Sequence, residues 1–136
     1  MPVYMSNSPK GTISSAAKAK IAADVTRIHC DVTGAPPEFV HVFFLEDAPS
    51  PPLNGNSAFL LGSIRSGRTD AQKQQIASEM AASISSHTGL PLTTVGVTTR
   101  DTPASWVLEG GEIMPEPGEE AVWMERLNAK RMAEAN

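Results

Sequence analysis

The second residue of the chain is a proline, and a residue this small favours removal of the initiator Met1, which leaves Pro2 with a secondary amine. An α-amino group titrates at about 7.7–8, so modest desolvation or nearby cations tune it to take or give a proton at neutral pH. Many chains begin Met-Pro without any catalytic consequence, so the amine needs partners elsewhere. The run Ile64-Arg65-Ser66-Gly67-Arg68-Thr69 brings two guanidinium groups to the start of a helix. Arginine forks match carboxylates and free helix-start amides add partial positive charge, which makes this an anion site in form. The bland alternative is two solvated loop arginines. His29 lies seven residues after Ala22 at the rim of an apolar helical stripe, either a polar tip for a pocket or a satisfied rim residue. Glu109, in Trp106-Val107-Leu108-Glu109-Gly110-Gly111, is a carboxylate among apolar neighbours, a setting that raises a carboxyl pKa and suits proton transfer; as an exposed loop residue it does nothing special. His41 in a strand, His87 near a helix end and the lone Cys30 share no metal-ligand spacing, so no metal is expected.

These side chains have to be positioned by a modest chain. It has 136 residues, 40% of them apolar, which suits one domain spanning 1–136 with one core. Net charge is −4 and pI about 5.3, so the cationic footprint that draws nucleic acid or an anionic membrane is missing. A single cysteine fits a reducing compartment, and neither a leader pattern nor a long apolar run occurs, so a soluble cytoplasmic protein is expected.

Sliding the sequence against itself by 55 positions gives nine identities over the 27 positions from 16 to 42, among them Ile21 with Ile76, Gly34 with Gly89 and Pro36 with Pro91. Chance gives roughly two for ordinary compositions. The chain therefore reads as two copies, about 2–47 and 57–102, each strand, helix, turn, strand, followed by an arm over 103–136. Strands are expected at 2–8, 39–46, 58–64 and 94–100. In the first helix Ile21, Val25, Ile28 and Val32 form one apolar side, and the second opens on Thr69-Asp70-Ala71-Gln72, a capping-box pattern. Gly34 and Gly89 stop the helices, and the proline-rich 48–56 segment joins the copies without an element of its own. Right-handed crossovers then set both helices on one face of four strands, an α/β two-layer sandwich of the α+β kind. The bare face calls for self-association. The arm, rich in proline and glycine, reads as irregular until a short helix near 119–133.

Pro2-Val3-Tyr4-Met5, His29, Ile64-Arg65-Ser66-Gly67-Arg68-Thr69, Glu109 and Met114-Pro115-Glu116-Pro117-Gly118-Glu119-Glu120 together resemble the cis-3-chloroacrylic acid dehalogenase group of the tautomerase superfamily, over nearly the whole chain. The resemblance implies Pro2 as catalytic amine, Arg65 and Arg68 as binders of a substrate carboxylate, and His29 as a helper at that carboxylate or at a water. It implies Glu109 as the acid or base that activates water in hydrolytic members, a homotrimer, and no cofactor. Tyr4, two residues along the strand from Pro2, shares its face and is a candidate pocket-lining residue, with a packed aromatic as the alternative. One departure matters: where the dehalogenases carry a catalytic tyrosine, the ungapped alignment from Glu109 places Thr98. A lost phenolic donor typically costs a few kcal/mol of transition-state stabilisation, roughly 3, which argues against efficient dehalogenation. The leading expectation is thus a cofactor-independent tautomerase of a small 2-oxo or enol acid. A hydratase or hydrolytic dehalogenase of cis-3-haloacrylate-type acids, and a non-catalytic oligomeric binder of small acids, are the alternatives.

Overall fold

Strand alternation divides the apolar residues of this chain between two surfaces, and only one of them meets helices. A computed structural model describes residues 1–135. Four strands, β1 (Val3–Ser8), β2 (His41–Glu46), β3 (Ala58–Arg65) and β4 (Val95–Thr102), form one mixed sheet in the order β2-β1-β3-β4. β1 runs parallel to β2 and antiparallel to β3, and β3 runs parallel to β4. Helices α1 (Ser15–Thr33) and α2 (Asp70–Thr88) pack side by side on one face, giving an α+β sandwich. There Tyr4, Leu60 and Ile64 of the sheet meet Ile21, Val25 and Ile28 of α1 and Ile76, Met80 and Ile84 of α2, all fully or almost fully buried. Each such aliphatic side chain contributes about 1.5–3 kcal/mol relative to exposure.

The helix ends follow from local chemistry. Ser14 accepts from the Ala17 amide at the start of α1, and Thr69 and Gln72 satisfy each other's backbone amides at the start of α2. Gly34 and Gly89 take left-handed conformations and close the two helices. Both helices are followed by a 3-10 turn, Pro37–Phe39 and Leu92–Thr94, so β2 and β4 begin two residues and one residue later than expected. The fixed φ of proline starts such turns readily. The buried side chain of Asn7 donates to the carbonyls of Ala48 and Pro51 and accepts from the Ala48 amide, pinning the proline-rich connection to β1.

The arm is less irregular than its composition suggests. Leu108–Glu109 (β5) and Glu112–Ile113 (β6) make a two-stranded hairpin, and α3 (Glu120–Ala135) follows. Gly110 and Gly111, both at positive φ, supply the two central residues that a tight hairpin turn requires. Met114, Trp123 and Leu127 of this arm build a second apolar cluster with Met1, Phe39 and Ala104. The opposite face of the sheet carries a row made of Phe43, Met5, Leu61 and Thr98 in register, with Phe43 53% exposed. Among the described residues, no helix is long and apolar enough to cross a membrane.

Gly62 pairs with Tyr4, and a Cβ there would lie 2.4 Å from Tyr4 Cε1. Gly62→Ala is expected to lower stability by about 1–3 kcal/mol, read as a lower urea midpoint; an unchanged midpoint would show that the ring moves aside freely.

Candidate functional site

The amino terminus is buried where β1, β2 and the arm meet. The amide of His41, the first residue of β2, donates to the Pro2 carbonyl (3.0 Å), which fixes Pro2 at the edge of the sheet. The terminal amine on Met1 donates to the Phe39 carbonyl (2.9 Å) and to the Glu109 carboxylate, and the Met1 side chain fills the cluster of Phe39, Ala104, Met114, Trp123 and Leu127. Burial, and then the positive charge of Arg65, lower this amine from its ordinary 8.0 to about 5. For the Met1 amine both causes favour the neutral form.

Tyr4 and His29 form a second element on the helix side. Tyr4 is wholly buried, with its ring against Gly62, and its hydroxyl shares a 2.7 Å hydrogen bond with His29 Nδ1. His29 is buried too, more deeply than the rim of the α1 stripe implied, because the phenol supplies the polar partner that a buried imidazole needs. Burial, followed by the charges of Arg68, Arg65 and the amino terminus, pushes His29 down to about 3. It is a neutral hydrogen-bonding group at working pH and feels every cation of the site.

The two arginines differ sharply. Arg65, at the end of β3, is buried: it donates to the Pro115 carbonyl (2.8 Å), pairs with Glu120 of α3 (2.8 Å) and lies over the Phe39 ring. Arg68, beyond the left-handed Gly67, donates to the Thr33 carbonyl at the end of α1 (3.2 Å). Its buried Nε has no hydrogen-bond partner, and among the described residues no carboxylate pairs with it. Burial and Arg65 lower its pKa. A buried unmet donor costs about 1–3 kcal/mol.

Glu109 is presented by the β5–β6 hairpin, its Oε1 on the amino terminus and 3.5 Å from Nε2 of His41. The structure thus gathers Pro2, Glu109, Arg65, Tyr4, His29 and Arg68 around the end of β1. Thr98 stays apart: it belongs to the sheet face turned away from the helices, in register with Leu61. His87 pairs with Asp24 (2.9 Å) between the helices, and partly buried Cys30 has its thiol pKa raised by burial. Sequence reasoning passed over His41 and Glu120. The signal for His41 was a lone imidazole in the outward row of Phe43 and Leu45; Glu120 stood in the motif that carries the resemblance, but nothing linked it, among the arm's seven glutamates, to Arg65. A cleft of about 560 Å³ runs between β6 and α3, bounded by Glu112, Glu119 and Arg126, and shares Met114, Trp123 and Leu127 with the wall around Met1.

Residues 1–63 match the family described as "Putative oxalocrotonate tautomerase enzyme". Among solved structures, N1, a member of the cis-3-chloroacrylic acid dehalogenase family, is 29% identical with a TM-score of 0.80, over 93% of this chain and 99% of that one. Native Ps01740 is 35% identical with a TM-score of 0.70, over 79% of this chain and 99% of its own. A fused 4-OT solved as an asymmetric trimer is 26% identical with a TM-score of 0.69, over 82% and 94%. No curated protein matches the chain.

The depressed His29 has a consequence for acid stability. Unfolded His29 takes a proton below its ordinary 6.5 whereas the folded one resists until about 3, so stability is complete above 6.5 and is lost as pH falls through that window. His29→Gln is expected to flatten the fall in urea midpoint between about pH 7 and pH 4, a difference on the order of 3 kcal/mol; equal slopes in both proteins would contradict it.

Proposed function

The chain belongs to the tautomerase superfamily, in its cis-3-chloroacrylic acid dehalogenase-like group, and from that membership we propose that it is a cofactor-independent tautomerase of a small 2-oxo or enol carboxylic acid, with Pro2 as its proton-transfer group. The observation that carries the reading is Arg68, a half-buried cation whose enclosed Nε has no hydrogen-bond partner and whose charge, with those of Arg65 and the amino terminus, acts on His29. Loss of Met1 moves the amine to Pro2 and empties the space against Phe39, Ala104, Met114, Trp123 and Leu127, where the body of a substrate fits. The carboxylate lies on Arg68, with the donors that Arg65 does not commit to Pro115 and Glu120 adding to the positive field, and with Tyr4 and His29 forming the neutral polar wall. The free-base amine takes the enol O–H proton, the oxygen lone pair closes the carbonyl as the carbon–carbon double bond opens, and the prolinium returns a proton to the carbon. No redox step or external nucleophile enters, so no cofactor is called for.

Glu109 on the amino terminus supports a second reading, water addition to a cis-3-substituted acrylate with Glu109 activating the water. Thr98 in place of a phenol weighs against the dehalogenating form of that chemistry. The uncovered row of Phe43, Met5 and Leu61 supports assembly; with the trimeric fused 4-OT as the nearest guide to its form, we propose a homotrimer in the cytoplasm.

Three measurements separate the readings. Mass spectrometry is expected to find Met1 removed, since a retained methionine acylates the Pro2 nitrogen. Pro2→Ala is expected to cut ketonisation of enol phenylpyruvate by roughly 10²-fold or more, and Arg68→Ala to raise KM more than it lowers kcat. Glu109→Gln is expected to abolish any water addition or chloride release from cis-3-chloroacrylate while sparing most ketonisation. Ketonisation that survives Pro2→Ala would sink the tautomerase reading.

A further inference from the structure

β5 and β6 set Glu109 directly opposite Glu112, and like charges in facing positions destabilise a strand pair unless each is neutralised from outside. Glu112 is neutralised by Lys130 of α3. Glu109 instead contacts the amino terminus and His41 of β2. A two-residue strand supplies little rigidity of its own, so the direction of the Glu109 carboxylate is set by these outside partners. Once Met1 is gone, the methionine amine that holds Oε1 goes with it, and the imidazole of His41 remains. His41 is tied to the same corner twice: its amide holds the Pro2 carbonyl at 3.0 Å, and its Nε2 stands 3.5 Å from Glu109 Oε1. That separation is slightly longer than a hydrogen bond, and such contacts in unliganded sites commonly shorten when substrate binds. Half of the His41 side chain is open, whereas Glu109 is mostly enclosed.

We propose that His41 is a positioning residue for Glu109, holding its carboxylate towards the nitrogen of Pro2. The inference rests on the reading of Pro2 and Glu109 given above. The charged or titratable groups facing the corner are the amino terminus from β1, His41 from β2, Arg65 from β3 with Glu120 of α3 behind it, Arg68 from the following turn and His29 from α1. Of these, His41 is the one that touches Glu109 without belonging to the amine.

The test is a double-mutant cycle with His41→Ala, Glu109→Gln and both together in the full chain, read as kcat and KM for enol phenylpyruvate across about pH 5–9. His41→Ala is expected to lower kcat no further than Glu109→Gln does, about twofold, at little change in KM and to change the shape of the pH profile. His41→Gln, which keeps a donor, should recover most of the loss. On the Glu109→Gln background the His41 substitution should have no further effect. Losses that simply multiply, or a pH profile identical to that of the parent, would overturn the proposal. An activity-independent readout keeps it separate from the tautomerase reading: Glu109→Gln should move the ring-nitrogen resonances of His41 in heteronuclear NMR. If the parent shows no Pro2-dependent ketonisation, that reading fails by itself, while unmoved His41 resonances would overturn the positioning role whatever the activity.

Discussion

An amine taken out of water must find acceptors or give up its proton, and much of this structure is arranged around that choice. The amino terminus has two acceptors, the Phe39 carbonyl and Glu109, and is nonetheless lowered to about 5 because enclosure and Arg65 act against the charged form. Each acceptor depends on a distant part of the chain. Phe39 is placed by the 3-10 turn after α1, and Glu109 by a hairpin seventy residues further on. The corner exists only when the first helix, the sheet and the arm are all in place, so enclosure of the terminus is tied to completion of the fold.

The arm in turn is fastened by a buried cation. Arg65 pairs with Glu120, holds the Pro115 carbonyl and lies over Phe39, whose ring also makes a T-shaped contact with Trp123. Desolvating two charges nearly cancels their attraction, but removing one partner leaves the other stranded at a cost of about 3–5 kcal/mol. The pair therefore gives specificity to the docking of α3 more than net stability. This separates the two arginines of one short turn: Arg65, compensated by Glu120, lends its field and secures the arm, whereas Arg68 keeps an unmet donor.

What could be read from the sequence was what local rules determine. The capping box at Thr69, the left-handed glycines 34 and 89 and the apolar stripe of Ile21, Val25 and Ile28 each follow from a few neighbouring residues, and the structure has them. The hairpin in the arm was missed because four paired residues make too short a pattern to detect, although Gly110-Gly111 is a turn signal. His29 looked like a rim residue because its partner, Tyr4, is on another element 25 positions away. Likewise the Arg65–Glu120 and His41–Glu109 contacts span 55 and 68 positions, and no periodicity links residues across such distances.

Alternation along β1 and β2 explains why the site has two dissimilar walls. Residues of even number on these strands, Tyr4 and Val42, face the helices; those of odd number, Val3, Met5, His41 and Phe43, face away. On the helix side a polar group is enclosed, so His29 can be present only as a neutral imidazole bonded to a phenol. On the outer side His41 is half open to solvent. Pro2 precedes the first paired residue of β1 and so belongs to neither surface. Its nitrogen stands at an edge where an enclosed hydrogen-bonding wall and an open one meet, the setting that the proposed proton-transfer role asks for.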